Sequence, residues 1–424
     1  MKIGRSRVFL PCCSIVIALG LNLAVLHSDA PDTVEVLVKC EGGPSGALAQ
    51  AADAAVGATT IRRFEAIGWY WVRLPTGVSL AEGLARYRAQ PGVLNVEPNR
   101  TLRSPSVPTP FPETGTTEEP RIRPQSEDLA PIVPDDPRYR SQWNLKKIGM
   151  EQAWATTTGS SNVVVAVIDT GVNYLHPDLA ANMWRNPGET GQDAQGHDKA
   201  TNGIDDDENG YVDDVHGIDA ITGSGDPMDQ GVVWPWSPDR EYHGTAIAGV
   251  IGAVGNNATG IAGINHQVSL MAIAITYPLG LDFPVVRTKR QVVGNVLSAY
   301  DYVLTMKRRG VQVRAVNNSY NRFIVSQALE DAFIEMSKED ILLVFAAAND
   351  GVNTDQTFWL WSTIDVPNLI SVTGTDRSDQ SVFNYGKVTT DLAAPAVDLV
   401  TLSSGDRYLT GWGGTSGACP QVAA

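Results

Sequence analysis

Ser416 lies in a stretch whose small residues suit a reactive hydroxyl. Residues 413–418 read GGTSGA, so the backbone can bend sharply there and a helix could begin. A hydroxyl at a helix N-terminus faces unpaired N–H groups and the positive end of the helix dipole, which favour negative charge nearby. Such a serine can be a nucleophile if a histidine is in reach and an acid orients that histidine. The alternative is an ordinary serine N-cap, because Ser is among the commonest N-caps.

Three further polar residues could complete such a site. Asp169 follows the apolar run 163–168, Asn349 ends the run 341–348, and His243 precedes a series of small residues that predicts a helix pressed against a sheet. Asp169, at a strand end, could orient an imidazole, and His243 could be that imidazole and act as the base. Asn349, also at a strand end, could donate a hydrogen bond to an oxyanion. The structural alternatives are simple turns for Asp169 and Asn349, and a helix-start histidine for His243.

The elements that must position these residues alternate between strand and helix from Asp135 onward. Repeated β-α-β units predict an α/β fold with a largely parallel sheet and helices on both faces. Functional residues gather at the carboxyl ends of the strands in such sheets. The apolar runs that predict strands are 163–168, 268–275, 311–316, 341–347 and 369–372, and the helical patterns cover 292–304 and 328–336.

A smaller unit precedes this region. From Val34 to Asn99 the patterns follow the order β-α-β-β-α-β, and Ser79-Leu80-Ala81-Glu82 forms a capping box that opens the second helix. This order predicts a ferredoxin-like α+β domain. The fold alone assigns no function, because it hosts many.

Two segments have compositions of their own. Residues 1–30 begin with basic residues, continue with an apolar run from Val8 to Leu26 and end in small residues, which predicts a signal peptide and a secreted protein. A retained membrane anchor is the alternative. Residues 101–134 are rich in proline, threonine, glutamate and serine, which predicts an extended linker.

Composition narrows the possible partners. The chain has 424 residues, more than one domain normally holds, and a formal net charge of −15. That charge argues against nucleic acid, since phosphate binding needs a positive surface. The 4 cysteines, two of them in the N-terminal apolar segment, imply no disulfide framework.

The sequence resembles the subtilisin-like serine proteases, the subtilase family, over roughly residues 135–424. The resemblance implies a subtilisin-like fold, triad positions for Asp169, His243 and Ser416, and the oxyanion-hole position for Asn349. It also implies that Ser319 and Ala347 contact the substrate. The matching motifs, in the family's order, are 167–172 with 176–179, then 243–245, then 346–349, then 414–416 with Pro420.

The resemblance also implies how the chain is organised and what it does. Residues 31–100 are similar to the family's inhibitory propeptide, which would block the cleft of a peptidase domain at 135–424. We therefore expect a secreted serine endopeptidase made as a zymogen, monomeric, acting on peptide or protein substrates, with no membrane association after signal removal. The family's serine-bearing helix continues beyond the position of Ala424, so we expect the peptidase domain to be incomplete. The alternative is a non-catalytic subtilase-like protein that binds peptides or a partner, since Tyr242 and Gly417 depart from the family pattern.

An acidic segment between Asp169 and His243 predicts a calcium site. Residues 205–214 read DDDENGYVDD, and their spacing follows the first nine positions of an EF-hand-type loop. The terminal bidentate glutamate of such a loop is absent, and the alternative is a solvated acidic turn. The predicted calcium ligands are Asp205, Asp207, Asn209 and Asp213.

Overall fold

The computed structural model describes residues 34–101, 129–233, 240–275, 292–321, 326–356 and 360–424. The predicted signal peptide (1–30) and most of the predicted linker (102–128) lie outside the described residues. Among the helices that are described, none combines the length and apolar character needed to cross a lipid bilayer.

The N-terminal unit is an antiparallel four-stranded sheet with two helices. Its strands lie in the order β2-β3-β1-β4, which is the ferredoxin-like topology. Ser79 caps the second helix by accepting a hydrogen bond from the Glu82 N–H, as the capping box predicted. The elements are β1 (Glu35–Cys40), α1 (Ala47–Val56), β2 (Thr59–Phe64), β3 (Trp69–Arg73), α2 (Leu80–Arg88) and β4 (Val93–Pro98).

The larger unit follows with alternating strands and helices. Its first part comprises α3 (Trp143–Lys147), α4 (Met150–Thr156), β5 (Gly159–Asp169), β6 (Gly217–Asp219), β7 (Val232–Val233), β8 (Arg240–Glu241), α5 (His243–Gly252) and β9 (Gln267–Ala274). Its second part comprises α6 (Val293–Arg308), β10 (Val313–Asn318), α7 (Gln327–Lys338), β11 (Leu342–Ala346), β12 (Leu369–Thr375), β13 (Leu392–Pro395), β14 (Leu399–Leu402), β15 (Tyr408–Trp412) and α8 (Thr415–Ala423).

A seven-stranded parallel sheet forms the centre of the larger unit, in the order β13-β12-β11-β10-β5-β9-β6. The central strand β5 is buried on both faces: Val164 and Ile168 join the core formed with α6 and α7, whereas Val165 and Val167 pack with residues of α5. Helix α8 packs with β11 and β12 through Ala418 and Cys419. The predicted parallel sheet with helices on both faces, preceded by a small α+β unit, is thus confirmed.

The chain reverses its strand order at β5, because β9 lies on one side of it and β10 on the other. Such a switch point opens a crevice at the carboxyl ends of the strands. Asp169 is the last residue of β5 and Ser319 directly follows β10. The topology therefore brings the residues singled out in the sequence to one edge of the sheet.

Candidate active site

Asp169 and His243 are in direct contact. The Nδ1 atom of His243 lies 2.7 Å from Oδ1 of Asp169. Helix α5 approaches the end of β5 closely because Gly244 has no side chain: a Cβ there would lie 2.0 Å from the carbonyl oxygen of Gly171. The Gly244 N–H also donates to Oγ1 of Thr170 at 2.8 Å. This hydrogen bond holds the start of α5 against Thr170, the residue that follows Asp169.

The surroundings of His243 favour its charged form. Asp169 is 3% exposed, and the His243 side chain is 12% exposed. Burial lowers the pKa of His243, but the charge and hydrogen bond of Asp169, together with Glu241 and Asp229, outweigh burial and raise the pKa to about 9. Asp169 therefore both orients the imidazole and stabilises the imidazolium.

Trp412 links the histidine to the element that carries the serine. Its ring stands edge-on to His243 at 5.8 Å between centroids, and its Nε1 donates to Glu241 at 2.6 Å. A Cβ on Gly417 would lie 3.3 Å from the same ring. Helices α5 and α8 also pack against each other. His243 and the residue after Ser416 thus both lie close to one indole.

Ser416 stands at the start of α8 but is not its N-cap. The helix begins at Thr415, and the cap is Gly414, whose φ of 92° favours glycine. The Ser416 Oγ donates to the carbonyl oxygen of Ser319 at 3.1 Å. The Ser319 Oγ in turn donates to the carbonyl oxygen of Ser416 at 3.0 Å. This reciprocal pair holds the serine at the end of β10.

Asn349 lies beside the start of α8. Its Oδ1 accepts hydrogen bonds from Thr415 N at 2.8 Å and from Thr415 Oγ1 at 2.9 Å. Because these bonds occupy the oxygen end of the amide, its Nδ2 is the end that can donate to a developing oxyanion. The preceding Ala348 has a φ of 78°, a conformation that costs energy for a residue with a side chain.

The two predicted substrate-binding residues differ in their surroundings. Ser319 exchanges hydrogen bonds with Ser416, as described above. Ala347 is fully buried, its N–H donates to Val372 O at 2.9 Å, and its carbonyl oxygen accepts from Asn384 at 2.8 Å. The structure therefore brings Ser319, but not the backbone groups of Ala347, to the serine.

The four predicted calcium ligands do not converge. The Asp205 carboxylate accepts the N–H groups of Asn209 and Gly210, at 3.0 and 2.8 Å. Asp213 accepts the Gly203 N–H at 3.2 Å. Asp205 thus bonds N–H groups of the local turn, as an Asp side chain readily does a few residues away, whereas Asp213 bonds an N–H ten residues away. Within the part of the chain that the structure describes, Asp207 is the one of the four that belongs to a group of carboxylates able to share a cation.

That group consists of Glu189, Asp207 and Asp214, whose ligand atoms lie within 4.8 Å of one another. Glu189 and Asp214 are fully buried, and Glu189 Oε2 has no hydrogen-bond partner among the described residues. Burial raises the pKa of Asp214 to about 7, although hydrogen bonds from Tyr302 and Asn209 oppose the shift. Buried carboxylates facing one another with an unpaired oxygen fit a hard cation such as calcium.

The sequence analysis missed two members of this acidic cluster. Asp214 is the last residue of the acidic segment but falls outside the ligand positions of the EF-hand-type loop. Only its place in that segment could have indicated it as a ligand. Glu189 precedes the segment by 16 residues, and no local pattern marks it as a ligand.

Comparisons with known proteins match each of the two units to a known family. Residues 160–424 match the subtilase family, and residues 34–99 match the fervidolysin N-terminal prodomain. A thermophilic serine proteinase of Bacillus sp. (strain AK1) is 31% identical over 294 residues, which cover 69% of this chain and 58% of the relative. Subtilisin-like protease 1 of Plasmodium berghei is 26% identical over 309 residues, covering 67% of this chain and 46% of the relative.

Among solved structures, fervidolysin from Fervidobacterium pennivorans, described as a keratinolytic enzyme related to subtilisin, superposes with a TM-score of 0.63 at 19% identity. The match covers 92% of this chain and 53% of fervidolysin. It confirms the predicted subtilisin-like fold with its preceding prodomain. The chain spans about half the length of the relatives it matches. The match to the family covers more than half of the chain, and the chain belongs to the subtilase family.

Proposed function

We propose that this protein is a serine endopeptidase that hydrolyses peptide bonds through an acyl-enzyme. The observation that carries the proposal is the 2.7 Å contact between His243 Nδ1 and Asp169 Oδ1, at the same sheet edge as Ser416. A carboxylate accepts hydrogen bonds only, so Nδ1 is the donor and the Nε2 lone pair of the neutral imidazole is left for a proton.

Acylation then follows from these roles. Ser416 Oγ attacks the carbonyl carbon of the scissile bond while its proton passes to Nε2 of His243. The carbonyl oxygen becomes an oxyanion that Nδ2 of Asn349 and the Ser416 N–H stabilise. When the tetrahedral intermediate collapses, the C–N bond breaks and His243 gives its proton to the departing amine. Water hydrolyses the resulting ester by the same proton transfers in reverse order.

The resting hydrogen bond of Ser416 bears on this mechanism. Its Oγ donates to Ser319 O at 3.1 Å, so the hydroxyl proton must turn toward His243 before attack. Catalytic hydrogen bonds are often poorly aligned in substrate-free enzymes and tighten in the substrate complex.

The N-terminal unit is proposed to inhibit this site until it is removed. Its support is a set of polar contacts with the helices of the larger unit. Asp331 of α7 accepts from Lys39 Nζ at 2.6 Å and from Trp69 Nε1 at 2.8 Å. Glu97 accepts from Ser326 Oγ at 2.6 Å and from Gln327 N at 3.0 Å, at the N-terminus of α7. A carboxylate at a helix N-terminus is favourable.

Calcium binding by the group Glu189, Asp207 and Asp214 is part of the proposal. Calcium prefers several oxygen ligands and tolerates irregular geometry. The proposed role of the ion is structural, because its ligands are tied to α6 and to the residue that follows it. Tyr302 of α6 donates to Asp214 at 2.5 Å, and Arg309 contacts Asp207 at 3.0 Å. The ion would neutralise carboxylates that otherwise repel one another.

We also propose that residues 1–30 direct secretion and that the secreted enzyme is a monomer free of the membrane.

The test is peptide cleavage by the wild type and two serine variants. Ser416→Ala should abolish cleavage, whereas Ser378→Ala, at an exposed serine, should retain wild-type turnover. Cleavage of a peptide mixture, with products identified by mass spectrometry, measures both. A wild type that binds peptides without cleaving any of them would instead support the non-catalytic alternative, and cleavage by Ser416→Ala would contradict the proposed nucleophile.

A further inference from the structure

We propose that Asp229 is a positioning residue that fixes His243 against Asp169. The inference rests on the proposed function, since it concerns the geometry of the same base. Asp229 lies in the loop before β7 and is 4% exposed. Nothing in the local sequence distinguishes it from the other acidic residues between Asp169 and His243.

Four donors converge on the Asp229 carboxylate. Its Oδ2 accepts from Thr245 N at 3.1 Å and from Thr245 Oγ1 at 2.7 Å. Its Oδ1 accepts from Gly231 N at 2.9 Å, and the Thr170 side chain forms a further hydrogen bond. Every one of these partners donates, so the ionised carboxylate satisfies them all. Because burying a charge is costly, these donors are what allows an ionised carboxylate to be buried here.

This carboxylate caps the helix that carries His243. The N-cap position of α5 is Tyr242, whose side chain makes no capping hydrogen bond, so the first N–H groups of the helix need partners from elsewhere. Thr170 supplies one for Gly244, and Asp229 supplies one for Thr245. Negative charge at this helix end also opposes the positive end of the helix dipole.

The same carboxylate joins the two elements that carry the acid and the base. Thr170 directly follows Asp169 at the end of β5, and Thr245 lies two residues after His243 in α5. By bonding both threonines, Asp229 sets the distance between the strand end and the helix start. The Thr245 hydroxyl extends this link, since it accepts from Asn173 N at 2.9 Å.

Backbone packing shows that the Asp229 loop is seated firmly on the strand end. A Cβ on Gly171 would lie 2.3 Å from Pro227 O and 3.1 Å from Asp229 N. The Val172 N–H donates to Pro227 O at 3.0 Å. This hydrogen bond and close packing hold the loop, and the carboxylate that it carries, against the end of β5.

Asp229 also acts on His243 through its charge. Burial raises the pKa of Asp229 to about 7, while its hydrogen-bond donors oppose the shift. The carboxylates that raise the pKa of His243 are Asp169, Glu241 and Asp229. Removing the charge of Asp229 should therefore also lower the pKa of the imidazole.

The experiment compares Asp229→Asn and Asp229→Ala with Asp226→Asn, an exposed aspartate three residues earlier. We expect kcat to fall about 10-fold in the first and about 100-fold in the second, because displacement of the base by a fraction of an ångström disrupts proton transfer. KM should change by less than about 2-fold, since Asp229 is buried away from the substrate. The acid limb of the kcat/KM profile should move to lower pH in Asp229→Asn. Asp226→Asn should match the wild type in each measurement.

A second readout does not depend on catalysis. The Nδ1 proton of His243 gives a low-field NMR resonance when it is hydrogen-bonded to a carboxylate, and this signal should weaken or disappear in Asp229→Ala. If the Asp229 variants fail to fold, Thr245→Val and Thr245→Ser replace them: the serine keeps the hydroxyl and should retain the resonance, and the valine should lose it. Wild-type kcat and an unchanged resonance in Asp229→Ala, or in Thr245→Val, would overturn the proposal. A wild type without peptidase activity that still shows the predicted change in resonance would contradict only the proposed function.

Discussion

At the scale of single residues, the protonation of His243 determines when the proposed site can work. Asp169, Glu241 and Asp229 raise its pKa to about 9 against the effect of burial. A base must be neutral to take a proton, so a raised pKa means that the active form is lost as pH falls through that value. The site is therefore arranged for alkaline conditions.

We predict that kcat/KM of the wild type falls on the acid side with an apparent pKa well above 6.5, the ordinary value for histidine. In Asp169→Asn, burial remains while the main opposing charge is lost, so this limb should move to lower pH. Turnover should fall by on the order of 10⁴-fold because the amide favours the wrong tautomer. Initial rates between about pH 5 and 10 measure both effects. An acid limb that does not move in Asp169→Asn would contradict the assigned pairing.

Asn349 provides the second prediction at this scale. Replacing it with alanine should lower kcat by roughly 10²–10³-fold with little change in KM, the loss known for an oxyanion-hole amide in another subtilase. Its oxygen also holds the start of α8 through Thr415, so a stability effect must be separated from catalysis. Asn349→Asp keeps that acceptor but removes the donor, and it should lose comparable activity. Full activity in Asn349→Asp would show that only the contact with Thr415 matters.

At the scale of elements, the strands could be predicted more securely than the loops. The apolar run before Asp169 predicts a strand buried on both faces, and β5 ends at that carboxylate. Glycine at 244 allows α5 to approach that strand end, and this was visible in the sequence as a run of small residues. The spacing of the acidic segment did not predict the acidic cluster correctly, because Asp205 of that segment bonds nearby N–H groups. Only the tertiary structure brings Glu189 to Asp207 and Asp214. The sequence likewise did not single out Asp229, because only the tertiary structure brings it to Thr170 and Thr245.

The acidic cluster supplies the prediction at this scale. Calcium added to chelator-treated protein should raise the unfolding temperature, because a ligand that binds only the folded state stabilises it by RT ln(1 + [L]/Kd). Glu189→Gln should reduce that increase strongly, since it removes a charge from a fully buried ligand. Glu208→Gln, at an exposed glutamate of the same loop, is the matched control. Calorimetry measures all three proteins. An equal calcium effect in Glu189→Gln and the wild type would exclude this ligand set.

At the scale of the whole molecule, the N-terminal unit lies on α6 and α7 of the larger unit. Leu37, Phe64 and Trp69 belong to the same core as residues of both helices. Gly294 allows a close approach, because a Cβ there would lie 2.7 Å from the ring of Trp71. Apolar burial of this kind gives most of the affinity, and the polar contacts at Asp331 and Glu97 fix the orientation.

We predict that Glu97→Gln weakens inhibition by the N-terminal unit after its cleavage. The change removes a charge from the N-terminus of α7, and losing a charge-assisted contact of this kind costs about 1 kcal/mol, or roughly 5-fold in affinity. The time course of peptide cleavage after processing measures the release of the inhibitor. Glu82→Gln, at an exposed position of α2, should behave like the wild type. Identical release of Glu97→Gln and the wild type would show that Glu97 does not contribute to binding.

The most direct test of the hydrolytic centre is covalent labelling with a fluorophosphonate, followed by mass spectrometry of the digested protein. The reagent reacts with a serine only when a neighbouring base activates it. We predict a single adduct on Ser416 that is lost in His243→Ala and strongly reduced in Asp169→Ala. An adduct on another serine, or labelling of Ser416 that persists in His243→Ala, would contradict the assignment of these residues as one catalytic centre.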